Sequence, residues 1–189
     1  MSNKLSFQIT GVSPLIMHNG KLADPLDKMT RAVKEVSGKR NKTESDYEEL
    51  ARLEWLGSLY VKDGKIVVPA MNIEATFLES ARKRRMGKQA QAGVYCDGEA
   101  PLVYDGPVDI DELWRDDRFR LTVGVRVKGA RIMRTRPIFE RWSIGVTLRY
   151  DESLLNRDVV VSILNDAGDK VGLCDWRPRF GRFTVEVVE

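Results

Sequence analysis

The chain has 189 residues, 42% of them hydrophobic and 31% charged, with a formal net charge of +3. That balance excludes a disordered chain and fits one domain of ordinary size. Two cysteines, Cys96 and Cys174, and a single histidine leave no disulfide framework and no zinc site of usual composition.

Residues 5–12 alternate Leu5, Phe7 and Ile9 with polar neighbours and predict a first sheet strand. Pro14 and Asn19–Gly20 then mark turns around His18. Residues 21–62 form a helical insertion in this reading. Asp24 ahead of Pro25 predicts a helix start, with Leu26, Met29 and Val33 on one face. Thr43 with Asp46 predicts a capping box for a second helix, whose apolar side carries Leu50, Leu53, Trp55, Leu56 and Leu59. Asp63–Gly64, between residues 60–61 and 65–68, is the strongest hairpin signal in the chain.

Asn72 is placed to cap a helix over 73–85, with Ile73, Phe77, Leu78 and Ala81 as its apolar stripe. Glu74 falls early and Arg82, Lys83, Arg84 and Arg85 late, the order a helix dipole favours. Lys88 extends the cationic run into a small, polar stretch at 87–98 that predicts a mobile loop. A short strand is expected at 101–104. Asp109, Asp111, Glu112, Asp116 and Asp117 form an acidic patch whose spacing matches no metal-ligand motif, so it reads as an exposed turn and no cofactor is expected.

Residues 118–127 set Phe119, Leu121, Val123, Val125 and Val127 on one strand face and Arg118, Arg120, Thr122 and Arg126 on the other. A basic arm or second hairpin follows at 128–141, with Lys128, Arg131, Arg134, Arg136 and Arg141 opposed only by Glu140. Residues 142–150 alternate again. Asp151 or Ser153 is placed to cap a helix carrying Leu155, Val159, Val160, Ile163 and Leu164, with Gly168 as its stop. Beyond it Gly172 and Gly181 bracket a loop with Trp176, Arg177, Arg179 and Phe180, followed by Arg182 and an alternating strand at 183–188.

Three cationic clusters, 82–88, 118–141 and 177–182, point to nucleic acid if folding gathers them into one groove. Arginine supplies planar donors for phosphate, and Trp176 with Phe180 offers faces on which bases stack. A single strand is favoured over a duplex because no recognition helix or zinc-finger spacing is present. Catalytic motifs for P-loop, serine hydrolase or zinc peptidase chemistry are missing. His18 is a weak candidate catalytic residue, as the general acid or base of a metal-independent endoribonuclease. A further alternative is a phage or mobile-element protein that mimics a nucleic-acid-binding subunit through protein contacts.

The strand at 5–12 with residues 13–20, the Val68–Pro69 turn before a basic helix, and GLCDWRPRFGRF at 172–183 together resemble the repeat-associated mystery protein superfamily. These are RNA-binding subunits of CRISPR effector complexes, above all the backbone subunit that polymerises along guide RNA. Cys174 stands where that family's loop usually has glycine. The resemblance implies an α+β fold of modified ferredoxin-like or RRM-like type: an antiparallel sheet with helices on one face and inserted helical and hairpin segments. The chain would then be one nucleic-acid-binding domain over 1–189, working by self-association or among CRISPR-type subunits on single-stranded RNA or single-stranded DNA. Lys83, Arg84, Arg85 and Lys88 would contact the backbone, and Arg177, Arg179 and Arg182 would line the groove with Trp176. Some relatives cut RNA with an aspartate or a histidine, for which Asp24, Asp27 and His18 are the loosely placed counterparts here. The chain shows no signal-peptide core and no run near the roughly 20 apolar residues of a membrane helix, which predicts a cytoplasmic protein away from membranes.

Overall fold

The computed structural model describes residues 2–127 and 129–188. Strand β1 (Ser2–Gly11) leads to the two-residue β2 (Leu15–Ile16) and a short turn of 3-10 helix at Gly20–Ala23. Helices α1 (Lys28–Gly38) and α2 (Glu44–Ser58) follow, then hairpin strands β3 (Val61–Lys62) and β4 (Lys65–Val68) and helix α3 (Ala70–Lys83). A short α4 (Gly87–Gly93) precedes β5 (Val94–Cys96), β6 (Ala100–Pro101) and β7 (Val103–Tyr104). Helix α5 (Ile110–Arg115) opens onto three long strands, β8 (Arg120–Val127), β9 (Ala130–Phe139) and β10 (Trp142–Asp151). Helix α6 (Arg157–Lys170) and β11 (Phe183–Val188) complete a mixed α+β fold of antiparallel sheets and packed helices. Among the described residues no helix is long and apolar enough to cross a membrane.

Contacts divide the chain into two compact units. The first comprises Met1–Leu15, Val61–Asp105 and Glu140–Glu189. Its main sheet runs β11-β1-β10-β5, with β7 also on β10. Register sets Phe7 opposite Val146 and Ile9 opposite Ile144, so one parity of each strand is apolar and buried. Buried residues of α3 (Ile73, Phe77, Ala81) and α6 (Val160, Ile163, Leu164, Ala167) complete this core. The opposite parity is polar, with Ser6 and Thr147 hydroxyls 3.1 Å apart. Asp63 and Gly64 both take positive φ (50° and 74°) in the β3–β4 turn, the primed geometry that a two-residue hairpin prefers.

Several expectations shift here. Helix α6 is capped by Asn156, whose side chain accepts from Val159 N, while Asp151 instead accepts from Ser153 in the preceding turn. Gly168 does not stop this helix. It lies buried against β11, where a Cβ would strike the Phe183 carbonyl, and Gly172 supplies the left-handed turn at φ 81°. Helix α3 starts at Ala70 behind Pro69, not at Asn72. The expected loop at 87–98 is instead α4 and β5: Ala90 and Gly93 are buried, and their small size allows the close packing that made the stretch look structureless.

The second unit comprises Ile16–Tyr60 and Gly106–Phe139. Strands β8 and β9 form its hairpin, and α2 packs on β9. Trp55 is fully buried at its centre, donates Nε1–H to the Phe119 carbonyl at 2.8 Å and meets Trp114 edge-on, 5.5 Å between centroids. The Thr43–Asp46 capping box forms as expected. Helix α1 begins later than expected: Asp27, not Asp24, caps it, and Leu26 is left 71% exposed ahead of the first turn. Phe119 is buried, but β8 beyond it is half-buried at best through Arg126, because its far end pairs only with β9.

Candidate nucleic-acid interface

The loop at 172–182 in the first unit is held by its own backbone. Leu173 N donates to Gly181 O at 2.8 Å, and Gly181 N donates to Pro14 O at 2.8 Å. A Cβ on Gly172 would lie 2.6 Å from Phe180 O, and one on Gly181 would strike Leu173 O, so only glycine fits where the two limbs touch. Helix α3 grips the loop from one side. Thr76 Oγ1 donates to Gly172 O at 2.9 Å, and the Asn72 amide reaches Cys174 Sγ at 3.7 Å. Asn72 therefore secures the loop and does not cap its helix.

Two residues inside this frame hold backbone conformations that side chains resist. Cys174 has φ 62° and Trp176 φ 53°. Cys174 thus takes a left-handed geometry that glycine adopts more readily, and burial pushes its thiol up to about 12, which disfavours the thiolate. The half-buried rings of Trp176 and Phe180 meet at 6.0 Å between centroids. Beside them opens a cleft of about 430 Å³ lined by Glu79, Lys83, Lys170, Asp175, Trp176 and Arg177. Folding thus brings cluster 82–88 and cluster 177–182 to one place.

Many of these cations already have partners. Arg177 stands 3.4 Å from Glu79, Arg182 3.5 Å from Asp169, and Lys83 Nζ donates to Lys170 O at 3.2 Å. Lys170 and Arg84 share Asp166, and Lys170 first and Arg84 after it hold that carboxyl below its usual range. Arg82, Arg85, Lys88 and Arg179 are exposed and make no ion pair among the described residues.

The third cluster lies mainly in the second unit, on β8 and β9. Arg134 pairs with Glu54, which is only 4% exposed and also accepts from Thr135 N at 3.2 Å, so this arginine has a structural task. Arg136 is buried. Lys128 lies outside the described residues. Arg126 and Arg131 are directly opposite one another, both exposed, with no carboxylate paired to either among the described residues. A Cβ on Gly124 would lie 2.6 Å from Arg131 Nε, so the missing side chain lets this guanidinium lie across the strand.

Sequence reasoning missed a cleft of about 790 Å³ in the same unit. Its wall is one face of α2, where Ser45, Glu48, Glu49 and Arg52 recur at three- and four-residue spacing. Thr122 and Thr135 line it from the sheet, their hydroxyls 3.0 Å apart, and Arg120 lies over the Trp114 ring at 4.6 Å from its centroid. Arg120 pairs with Asp117 and Arg52 with Asp111 at 2.8 Å, while Asp109 and Asp116 cap α5 and the 3-10 turn after it, so the acidic patch is largely a capped helix with ion pairs and not the exposed turn expected. The helical spacing of the α2 residues was visible, but nothing along the chain placed Trp114 beside them.

The loosely placed nuclease candidates stand in three different settings. Asp27 caps α1 and Asp24 accepts from Leu26 N at 2.8 Å, while His18 is exposed with its carbonyl taking the Tyr60 hydroxyl at 3.0 Å. Among the described residues no group of three or more His, Cys, Asp or Glu is arranged to hold a metal ion. No protein-family model and no curated protein sequence matches this chain.

Proposed function

We propose that the chain binds single-stranded RNA, or single-stranded DNA, without cutting it, as a subunit of an oligomer or ribonucleoprotein complex of the repeat-associated mystery protein type. The observation that carries this reading is Trp176: a bulky residue held at φ 53° in a glycine-framed loop, its ring at a cleft shared with Lys83 and Arg177. Such a conformation costs about 1–3 kcal/mol, persists only where the surrounding structure enforces it, and clusters at functional sites. In this reading a base stacks on Trp176 and Phe180, with phosphates on Arg82, Arg85, Lys88 and Arg179. Arg126 and Arg131 give the second unit a phosphate-binding surface of its own.

The test is fluorescence anisotropy with a labelled uridine-rich strand across a salt series. Binding at about 0.15 M salt clearly tighter than the 10⁻⁴–10⁻⁶ M of non-specific association, weakened by Trp176→Ala and Arg179→Ala, supports the reading. Non-specific affinity with no response to Trp176→Ala overturns it and leaves the protein-contact alternative. Cleavage that survives chelator and is lost in His18→Ala would replace it with the nuclease.

A further inference from the structure

The second unit carries an open cleft of about 790 Å³, inside the range of small-molecule sites, where Trp114 and Ala51 stand among charged and hydroxyl side chains. We propose that it is a base-reading pocket that takes a guanine presented by a single strand.

The walls decide the guest. Arg120 stacks on Trp114, which leaves a planar guanidinium on which an aromatic ring can lie. The charges lining the cleft are Glu48, Glu49 and Asp117 against Arg52 and Arg120, and both arginines are already matched by aspartates. A phosphate is therefore unwelcome inside, whereas a neutral ring with several N–H donors is not. Glu48 and Glu49 are acceptors only. Guanine is the base with adjacent donors, N1–H and N2–H₂, that one carboxylate takes together, and its O6 and N7 acceptors match donors such as Arg52 and the Thr122 hydroxyl. Adenine and cytosine offer one amino group beside an acceptor nitrogen, which a carboxylate repels.

The phosphates have somewhere to go outside. Arg120 and Thr122 share a strand face with Gly124 and Arg126, and across the ladder with Arg131, Met133 and Thr135. With a base seated at Thr122, the strand's neighbouring phosphates can follow the same face to Arg126 and Arg131, roughly 13 Å along the strand for four residues, neither of which pairs with a carboxylate among the described residues.

The pocket's biological guest rests on the single-strand reading, but the pocket itself is tested apart from it. One arm compares uridine-rich strands carrying a single central guanine, inosine or adenine. Guanine should bind about tenfold tighter than either substitute, the discrimination one bidentate base contact supplies. Glu48→Gln or Glu49→Gln should erase the preference. The other arm measures free guanosine, inosine and adenosine by ligand-observed NMR, with circular dichroism confirming that each variant is folded. Strand binding without base preference overturns the pocket and leaves the proposed function intact. Guanosine binding without strand binding does the reverse. Equal responses from the three nucleosides, or a guanosine response unchanged in both glutamine variants, overturn the pocket whatever strands do.

Discussion

In the loop at 172–182, Arg177 and Arg182 each stand beside a carboxylate, and the backbone is wedged between two glycines that admit no Cβ. At the far end of the β8–β9 hairpin, Arg126 and Arg131 face each other with no carboxylate paired to either among the described residues, and the atoms nearest a Cβ on Gly124 belong to the flexible Arg131 side chain. As strings of residues the two regions look alike: arginines among apolar side chains and glycines. The difference teaches that cationic density along a chain does not measure available charge. The loop uses its arginines partly to hold itself together, whereas the hairpin places two like charges opposite each other, an arrangement that costs stability and gains from an anion.

The largest test of that contrast concerns the glycines. Gly181→Val should cost about 3 kcal/mol or more in urea unfolding, because left-handed backbone and a collision with Leu173 O combine. Gly124→Ala should cost under about 1 kcal/mol, since Arg131 can swing aside. Comparable losses would break the distinction between a rigid loop and a yielding hairpin. Next comes Glu54→Ala, which strands Arg134 and should destabilise by about 3 kcal/mol in the same measurement. An effect below about 1 kcal/mol would move Arg134 back among the cations open to ligand.

Binding sharpens the comparison at smaller scale. Trp176→Ala should weaken strand binding by about 1–3 kcal/mol through the missing stacking surface. Arg126→Ala with Arg131→Ala should reduce the salt-dependence slope by about one for each phosphate no longer neutralised. The same pair of changes should leave folding stability unchanged or raise it by a few tenths of a kcal/mol, about what relief of a cross-strand repulsion gives. Smallest is an acid effect at α2. Lys39, with Thr43, pulls the Asp46 carboxyl down to about 2. The folded value is thus below the unfolded one, so the stabilisation is complete above the ordinary aspartate range and is lost as pH falls from about 4 towards 2. NMR of α2 amides should show its first turn loosening in that window, and Lys39→Met should move the transition upward.

Much of the fold was legible because its signals are local. The alternation at 142–150, the Asp63–Gly64 turn and the Thr43–Asp46 box each specify structure within a few residues, and all three formed. Starts and stops fared less well where tertiary packing outweighed propensity. Gly168 serves contact with β11 and not helix termination, and Ala90 and Gly93 serve close packing and not mobility. The surroundings of the candidate site were less legible. Whether Trp176 would be sealed or half-exposed was open along the chain, and the partners of Arg84, Arg134, Arg177 and Arg182 lie far off in sequence and could not be read from it.

The bonds that close the loop have a consequence for when the protein can act. Gly181 N reaches Pro14 O, and Arg182 exchanges bonds with Val12 and Ser13, so the frame around Trp176 joins residues almost the full length of the chain apart. Contacts that distant in sequence form late, after the entropy of closing a long loop has been met. A nascent chain that has not yet emerged as far as Arg182 cannot close the frame around Trp176, so whatever the loop takes is out of reach until folding of the first unit is nearly complete.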